Sequence, residues 1–573
     1  MMKFSNKVII CLSVSLLLIL GLVSFSVAGN INSEAFKEGV MHGEIFKVKI
    51  ETAVNNLLNE LESDGYSLQE LFVLAQENEK LYLEVLPEKV EWMKGVSEVT
   101  GIPYEEILIL NDFSKEGCTG FAATGLATRD GVTMIAKNRD LSSQSLTRVQ
   151  VMEHRYPKEE SYRAAYIEIP QVKETYKYVA SGTVGRWGFG QGINEFQVQV
   201  SDYAVSSDIE HPGRLGFHDN DFIRIVLERA KTAREAVEIL GYLAENWGPA
   251  WNGFLFLVGD PNEFWVVEMP GNVWAAKRYE NTAIITANQL QIEYDYDLAS
   301  PDVISFALEQ GWVKEDQIKD GKLNFREVYS KGQKYSPSSR TLRALELLES
   351  KMGDFTIQDF IAFERDHCDE VPTLEGKLEF EGKIVNMEQV PFYSSKYSNT
   401  NISVPMICSH GLSGRTTSST VIVSDLNKFN ELGAMWTALS QPCQSIFVPF
   451  YVGITSVPEK WTNEVAPEVF NLVRVKAFGR YTLFQDVIRA IFDPFEEITF
   501  QEALMVEKKV AAELKKGNSD IAKKILTDFC TERAIRALDL AYIALDRMVD
   551  KAIESEAWER EEVVPAGFEK IKY

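Results

Sequence analysis

Between residues 30 and 114 the apolar positions recur every three or four residues. FKVKIETAVNNLLNELES and LQELFVLAQENEKLYLEVLPEKVEWMKGVSEVTG both show the spacing of one-sided helices, with Pro87 as a break between turns. At Cys118 the period changes. GFAATGLATRDGVTMIAKNRD reads as two short strands around Arg129-Asp130-Gly131, where the Asp-Gly pair supplies the positive-φ residue of a hairpin. Further strands are expected in TYKYVASG, in EFQVQVSDYAV, where Phe196, Val198 and Val200 alternate, and in NGFLFLVGD, EFWVVEMP, VWAAKRYE and TAIITAN. The helical pair DNDFIRIVLERAKTAREAVEILGYLAENW lies between the second and third of these. SSRTLRALELLES is amphipathic, STVIVSDL and QPCQSIFVPFY read as strands, and the chain beyond about 482 turns helical again, with Gly517-Asn518-Ser519 closing one helix and opening the next. Sheets interrupted by helices predict an α+β architecture of stacked sheets with helices outside.

The chain has 573 residues and is 45% hydrophobic, enough for a large core. A formal charge of -25, with no run of Lys or Arg to track a phosphate backbone, argues against nucleic-acid binding. At the N-terminus, Lys3 and Lys7 precede an apolar run from Val8 to about Val23, and Ser26-Val27-Ala28 resembles a cleavage site. This predicts an export signal or an uncleaved anchor, and hence a secreted, periplasmic or otherwise extracytoplasmic location. Of six cysteines, Cys11 lies in this segment, leaving Cys118, Cys368, Cys408, Cys443 and Cys530. Five is an odd number, and the spacings match neither a disulfide framework nor a CxxC metal site.

Several chemistries find no support in the spacing. Gly188-Phe189-Gly190-Gln191-Gly192 lacks the G-x-G-x-x-G pattern, and the chain has no P-loop, HExxH or GxSxG. The six histidines show no ligand pair at helical spacing, so neither a metal nor a cofactor is expected. His367 adjoins Cys368, but sequence neighbours point in different directions, which does not suit a cysteine-histidine pair. GCTGFAAT offers more. A thiol needs a base nearby or a lowered pKa to act at neutral pH, and cleavage between Gly117 and Cys118 would place an α-amine on the thiol's own residue. Glycine before the cysteine permits the backbone angle such self-cleavage needs.

CTGFAATGLATRDGVTMIAKNRD resembles the opening of the N-terminal nucleophile (Ntn) cysteine hydrolases, which include penicillin V acylase, bile salt hydrolase, the isopenicillin N acyltransferases and the dipeptidase A family. The leader, with EGVMHGE, LPEKVEWMKGVSEVTGIPYEEILILND and EGCTGFA, resembles the acyltransferase propeptide. The remainder is more similar to dipeptidase A, through GINEFQVQVSD, TANQLQIEYD, LNFREVYS, FERDHCDE and TTSSTVIVSDLNKFNELGAMWTALSQPCQSIFVPFYVGI. The resemblance implies a four-layer αββα sandwich. It divides the chain into a signal or anchor (1–28), a helical propeptide (29–117), a hydrolase core (118–465) and a helical C-terminal extension (466–573).

It also implies roles. Cys118 would be the nucleophile, freed by autocatalytic removal of residues through Gly117. Asp140 would lie against the α-amine and thiol, the Asn288 side-chain NH2 would help form an oxyanion hole, and Arg340 would tune the charge state of the site. Two departures stand out. Bile salt hydrolases carry arginine where this chain has Lys137, with Arg139 two residues on, and a second oxyanion asparagine is replaced by Ser201-Asp202-Tyr203-Ala204. Lys137, Arg139 and Asn194 are therefore candidates for lining the substrate pocket. The expected activity is hydrolysis of a linear amide, foremost a dipeptide or small peptide. The alternatives are an N-acyl amide acylase or acyltransferase and, in another class, a non-catalytic binding protein on the same scaffold. Expected partners are the substrate, the chain's own propeptide and a second copy of the chain.

Overall fold

The computed structural model describes residues 33–112 and 117–554, apart from 64–66, parts of 70–86, and 142–144, 158–160, 164–167, 171, 206–208, 210–215, 250–252, 331–338, 368–376, 381–382, 387–406, 410–414 and 478–480. The expected signal or anchor and Cys368 lie outside the described residues. Among those described, no helix is long and apolar enough to cross a membrane.

Two antiparallel sheets stack face to face. In one, six strands run in the order Ala283–Thr286, β1 (Gly117–Gly125), β2 (Gly131–Leu141), Arg415–Ser424, Ala434–Leu439 and Val448–Tyr451. In the other, eight run from Leu298–Ala299 through Ala275–Tyr279, Phe264–Met269, Phe254–Gly259, Gln199–Ala204, Gln191–Asn194 and Tyr178–Thr183 to Thr147–Met152. Helices Asp219–Arg229 and Ala233–Asn246 cover the outer face of the eight-stranded sheet. Helices Ile357–Glu364, Val465–Ala477 and Ser519–Glu554 cover the outer face of the other. This is the four-layer αββα arrangement that the resemblance implied.

Burial on both faces explains which strands escaped the pattern. Ala434–Leu439 is buried at every position, so it shows no polar-apolar alternation, and it was not expected as a strand. The expected strand EFQVQVSDYAV is half a turn instead. Asn194 accepts hydrogen bonds from the amides of Phe196 and Val198, Gln197 takes a φ of 61°, and the strand starts only at Gln199. Phe196 and Val198 alternate by coincidence, since they belong to the turn. The Asp-Gly hairpin does form, with Gly131 at a φ of 72°.

At the C-terminal end, the pieces FQDVIRAIF and TFQEALMVEKKVAAELKKG merge into one helix, Tyr481–Lys515, which runs through Pro494. Trp436 of the sheet stacks on Phe500 of that helix at 4.3 Å. The indole of Trp461 donates to the carbonyl of Ala534. These C-terminal helices thus share one apolar core with the six-stranded sheet.

The leader folds into α1 (Glu34–Ser63), α2 (Pro87–Thr100) and α3 (Tyr104–Asp112). Pro87 opens α2, where its missing N–H costs nothing. The leader holds the loop after Tyr178–Thr183 through that loop's backbone. His42 Nε2 accepts from the Gly185 amide at 2.7 Å, and Asn111 Oδ1 accepts from the Trp187 amide at 2.7 Å. Trp92 meets Trp187 edge to face at 6.0 Å, and their cluster joins leader and core. Burial pushes the His42 imidazole well below its ordinary pKa, helped by Arg148, which preserves the neutral acceptor that Gly185 needs.

α1 and α2 cross at two glycines. A Cβ on Gly39 would lie 2.0 Å from the Trp92 carbonyl oxygen, and one on Gly95 2.2 Å from that of Phe36. Gly39→Val is therefore expected to pry the helices apart at a cost of about 1–3 kcal/mol or more. Limited proteolysis should then cut within 34–112 faster while the sheets stay protected; unchanged leader cleavage would contradict this packing.

Candidate active site

The hairpin β1–β2 sets Cys118 opposite Arg139 and Gly117 opposite Asp140. On the other side of β1 the strand Ala283–Thr286 pairs only as far as Gly120 opposite Thr286, so the ladder stops before the Cys118 amide. A side chain takes over. Asn288 adopts a φ of 56°, a left-handed conformation that asparagine tolerates, and its Oδ1 accepts from the Cys118 amide at 2.9 Å. Its Nδ2 donates to the Ala204 carbonyl at 2.9 Å, tying the site to the eight-stranded sheet.

Arg340, in the first turn of helix Ser339–Lys351, donates from Nη2 to Asn288 Oδ1 and from Nη1 to Asp140 Oδ2, both at 2.9 Å. A guanidinium fork can span two acceptors in this way and an ammonium cannot match its geometry. The second oxygen of Asp140 accepts from Thr416 Oγ1 at 2.8 Å. Thr416 is aimed there by an irregularity in the ladder, where the pairing with β2 slips between Thr416 and Ser418. Burial pushes the Asp140 carboxyl up to about 6, even though Arg340 first, then Thr416 and Lys137, pull it down.

The structure thus brings four expected residues, Cys118, Asp140, Asn288 and Arg340, into one hydrogen-bonded chain. The orientation of Asn288 follows from its partners. Arg340 and the Cys118 amide are both donors, so the amide oxygen faces them, and one NH2 hydrogen is taken by Ala204. Thr416 was missed. The segment TTSST was singled out by resemblance, but nothing in its spacing tied it to a residue 276 positions away.

Lys137 and Arg139 alternate with Asp140 along β2 and reach other partners. Lys137 Nζ meets Asp202 Oδ1 at 3.1 Å, both fully buried, and lies 5.2 Å from the centre of the Tyr203 ring. The unusual Ser201-Asp202-Tyr203-Ala204 segment is therefore the charge partner of the unusual lysine. Arg139 donates to Asn220 Oδ1 at 3.1 Å beneath the glycine-rich loop, where a Cβ on Gly190 would lie 2.6 Å from its guanidinium. That loop makes room for arginine. Asn194 stands outside the cluster: its Nδ2 donates to the carbonyls of Leu227 and Ala230, and its Oδ1 closes the turn described above. Its amide braces a helix end and a turn, and these contacts lend no support to a substrate role.

The Cys118 side chain is fully buried in the core between the sheets, with Ala122, Ile135, Tyr203, Leu255 and Leu257 in the same cluster. β1 thus starts on a glycine and a thiol, the thiol's own backbone nitrogen is held by Asn288, and Arg340 joins that side chain to the Asp140 carboxylate.

Comparison with known proteins finds related hydrolases. Residues 117–348 match the family described as Peptidase family C69, and this match with the dipeptidase relatives supports a hydrolase of the peptidase type. The chain is 32% identical over 211 residues to a dipeptidase of Bifidobacterium longum, an alignment spanning 32% of this chain and 38% of that protein. It is 22% identical over 494 residues to a probable dipeptidase B of Streptococcus pyogenes, spanning 78% of this chain and 94% of the relative. Solved structures that it resembles include penicillin V acylase from Agrobacterium tumefaciens, at 13% identity and a TM-score of 0.32 over 58% of this chain and 86% of the other. A conjugated bile acid hydrolase from Clostridium perfringens gives 14% and 0.29 over 58% and 92%.

A raised pKa leaves the Asp140 carboxyl neutral below about pH 6 and charged above it. The carbon-13 carboxyl resonance that Asp140→Asn removes should therefore titrate near pH 6. In Arg340→Ala it should titrate higher, because the largest influence holding the pKa down is gone. A midpoint near 4, or one unmoved by Arg340→Ala, would contradict this electrostatic arrangement.

Proposed function

We propose that this protein is an exported, autoprocessing cysteine hydrolase of the Ntn type that cleaves a linear amide, foremost a dipeptide or small peptide, through a thioester on Cys118. The observation that carries the reading is the hydrogen bond from the Cys118 backbone nitrogen to Asn288 Oδ1, with Arg340 and Asp140 joined to it. An interior strand residue has its amide in a ladder; here an asparagine is strained to hold that one nitrogen. The peptidase-family match beginning at Gly117 supports the same junction.

In the uncut chain the Cys118 sulfur would attack the Gly117 carbonyl carbon. The Gly117–Cys118 C–N bond breaks, the nitrogen keeps the proton it gains, and the leader is held as a thioester until water releases it as a carboxylate. The nitrogen that Asn288 holds as an amide becomes an α-amine with an ordinary pKa near 8. In turnover that amine takes the thiol proton, the thiolate attacks the substrate carbonyl, and the ammonium returns its proton to the leaving nitrogen. Water then cleaves the acyl-enzyme. Charged Asp140, opposite Gly117 in the ladder, favours the ammonium, and Asn288 Oδ1 keeps it in place. Dipeptide preference rests on the similarity to dipeptidases. Export rests on the Lys3–Ala28 pattern.

The test is hydrolysis of a dipeptide panel, with penicillin V and an N-acyl homoserine lactone alongside. Wild-type protein should cleave dipeptides, and Cys118→Ala should lose at least about three orders of magnitude in kcat, as loss of a nucleophile does. Dipeptide cleavage unchanged in Cys118→Ala would remove the thiol from the reaction. Turnover of the acyl amides with no dipeptide activity would overturn the substrate class.

A further inference from the structure

On the outer side of the six-stranded sheet, away from the thiol, lies a second group of reactive side chains. His367 follows helix Ile357–Glu364, Cys408 precedes the strand Arg415–Ser424, and Cys443 lies in the 3-10 turn Pro442–Gln444. All three are buried, and their ligand atoms lie within 4.8 Å of one another. Sequence spacing gave no hint, because three separate segments are folded together.

We propose that His367, Cys408 and Cys443 form a binding site for a thiophilic divalent cation, zinc in the first instance, with its fourth position open to the adjoining cavity.

The donor set is the first reason. Two sulfurs and one imidazole are the ligands of zinc, whereas calcium and magnesium take oxygen. Sulfur and nitrogen atoms around a tetrahedral zinc stand roughly 3.5–4 Å apart, so no pair in the group needs to close by more than about 1.3 Å. Charge is the second reason. Two thiolates and a neutral imidazole balance a divalent ion, so the loaded site buries no net charge.

The surroundings are the third reason. Each ligand segment is held by bonds that do not involve the ligating atoms, the 442–444 turn by Arg365 Nε on the Pro442 carbonyl at 2.9 Å and Gln485 Nε2 on that of Cys443 at 3.2 Å. The amides of Ile407 and Cys408 both donate to the Asp366 carbonyl at 3.1 Å. Arg343 grips the Asp366 carboxylate, and Asn138 Nδ2 donates to the carbonyls of Glu364 at 2.8 Å and Ile407 at 3.0 Å. Such outer bonds orient ligands before the ion arrives.

A cavity of about 670 Å³ has both His367 and Cys443 in its wall and supplies an entry path and room for a water as fourth ligand. Glu496 also lines that cavity but is bound to Arg365 at 2.6 Å and to Arg489 at 3.0 Å, so the fourth ligand is not this carboxylate. An ion here would clamp 364–367 and 407–409 to the 442–444 turn, behind the strand that carries Asp140.

The test is cobalt(II) and zinc(II) uptake by the full chain purified under reducing conditions. About one cobalt per chain should bind and give the thiolate-to-cobalt charge-transfer band. Zinc should displace it and raise the unfolding temperature. Cys408→Ser and His367→Gln should each lose the band, whereas Cys118→Ala and Cys530→Ser should keep it. Circular dichroism confirms that a variant is folded, and His367→Gln, which leaves both sulfurs, carries the test if the serine variants do not fold. No uptake by the reduced protein, or uptake unchanged in folded Cys408→Ser or His367→Gln, would overturn the proposal. A Cys408–Cys443 disulfide in the isolated protein, with no metal bound after its reduction, would also overturn it.

Discussion

Everything at the site depends on how one backbone nitrogen is satisfied. β1 sits between two neighbours, yet the ladder on the Ala283–Thr286 side ends at Gly120, short of the Cys118 amide. A buried N–H without a partner costs about 1–3 kcal/mol, so the fold must supply an acceptor. It supplies Asn288 Oδ1 and then fixes that oxygen with Arg340, whose other arm takes Asp140, which Thr416 holds in turn. Each group in the series constrains the next. The result is a nitrogen whose single acceptor is tied through a guanidinium to a buried carboxylate.

The sandwich exists to hold these pieces. Cys118 and Asp140 come from one hairpin, Asn288 from the end of the neighbouring strand, Arg340 from a helix start and Thr416 from the strand on the far side of β2. Asn288 also reaches the Ala204 carbonyl, so a single side chain links the two sheets at the thiol. The buried charged residues of β2 are matched locally: Lys137 by Asp202, and Arg139 by Asp219 at 4.0 Å and the Asn220 amide oxygen, under a glycine with no side chain to obstruct it. The leader, packed through His42, Asn111 and Trp92 on the 184–187 loop, is part of the same folded body.

Much of this was legible because local chemistry and fold agree. The change of period at Cys118, the Asp-Gly turn and the resemblance carried by KNRD, TANQ and SSRTLR pick out all four residues of the hydrogen-bonded chain. What was not legible depends on neighbours far along the chain. The rotamer of Asn288 is set by Arg340 and Ala204, and Thr416 finds Asp140 only through a ladder slip. Ala434–Leu439 hides because both of its faces are covered, and His367 meets Cys408 and Cys443 only once the outer layer has packed. Asn194 shows how a polar residue in a quoted motif can be occupied structurally: its amide goes to a helix end and a turn.

Whether Gly117–Cys118 is a junction between two chains, as proposed, is read directly by intact-mass analysis and N-terminal sequencing of the mature protein. The wild type should yield one polypeptide beginning at Cys118, and Cys118→Ala an uncut chain. An active wild-type protein still continuous through Gly117 and Cys118 would contradict it.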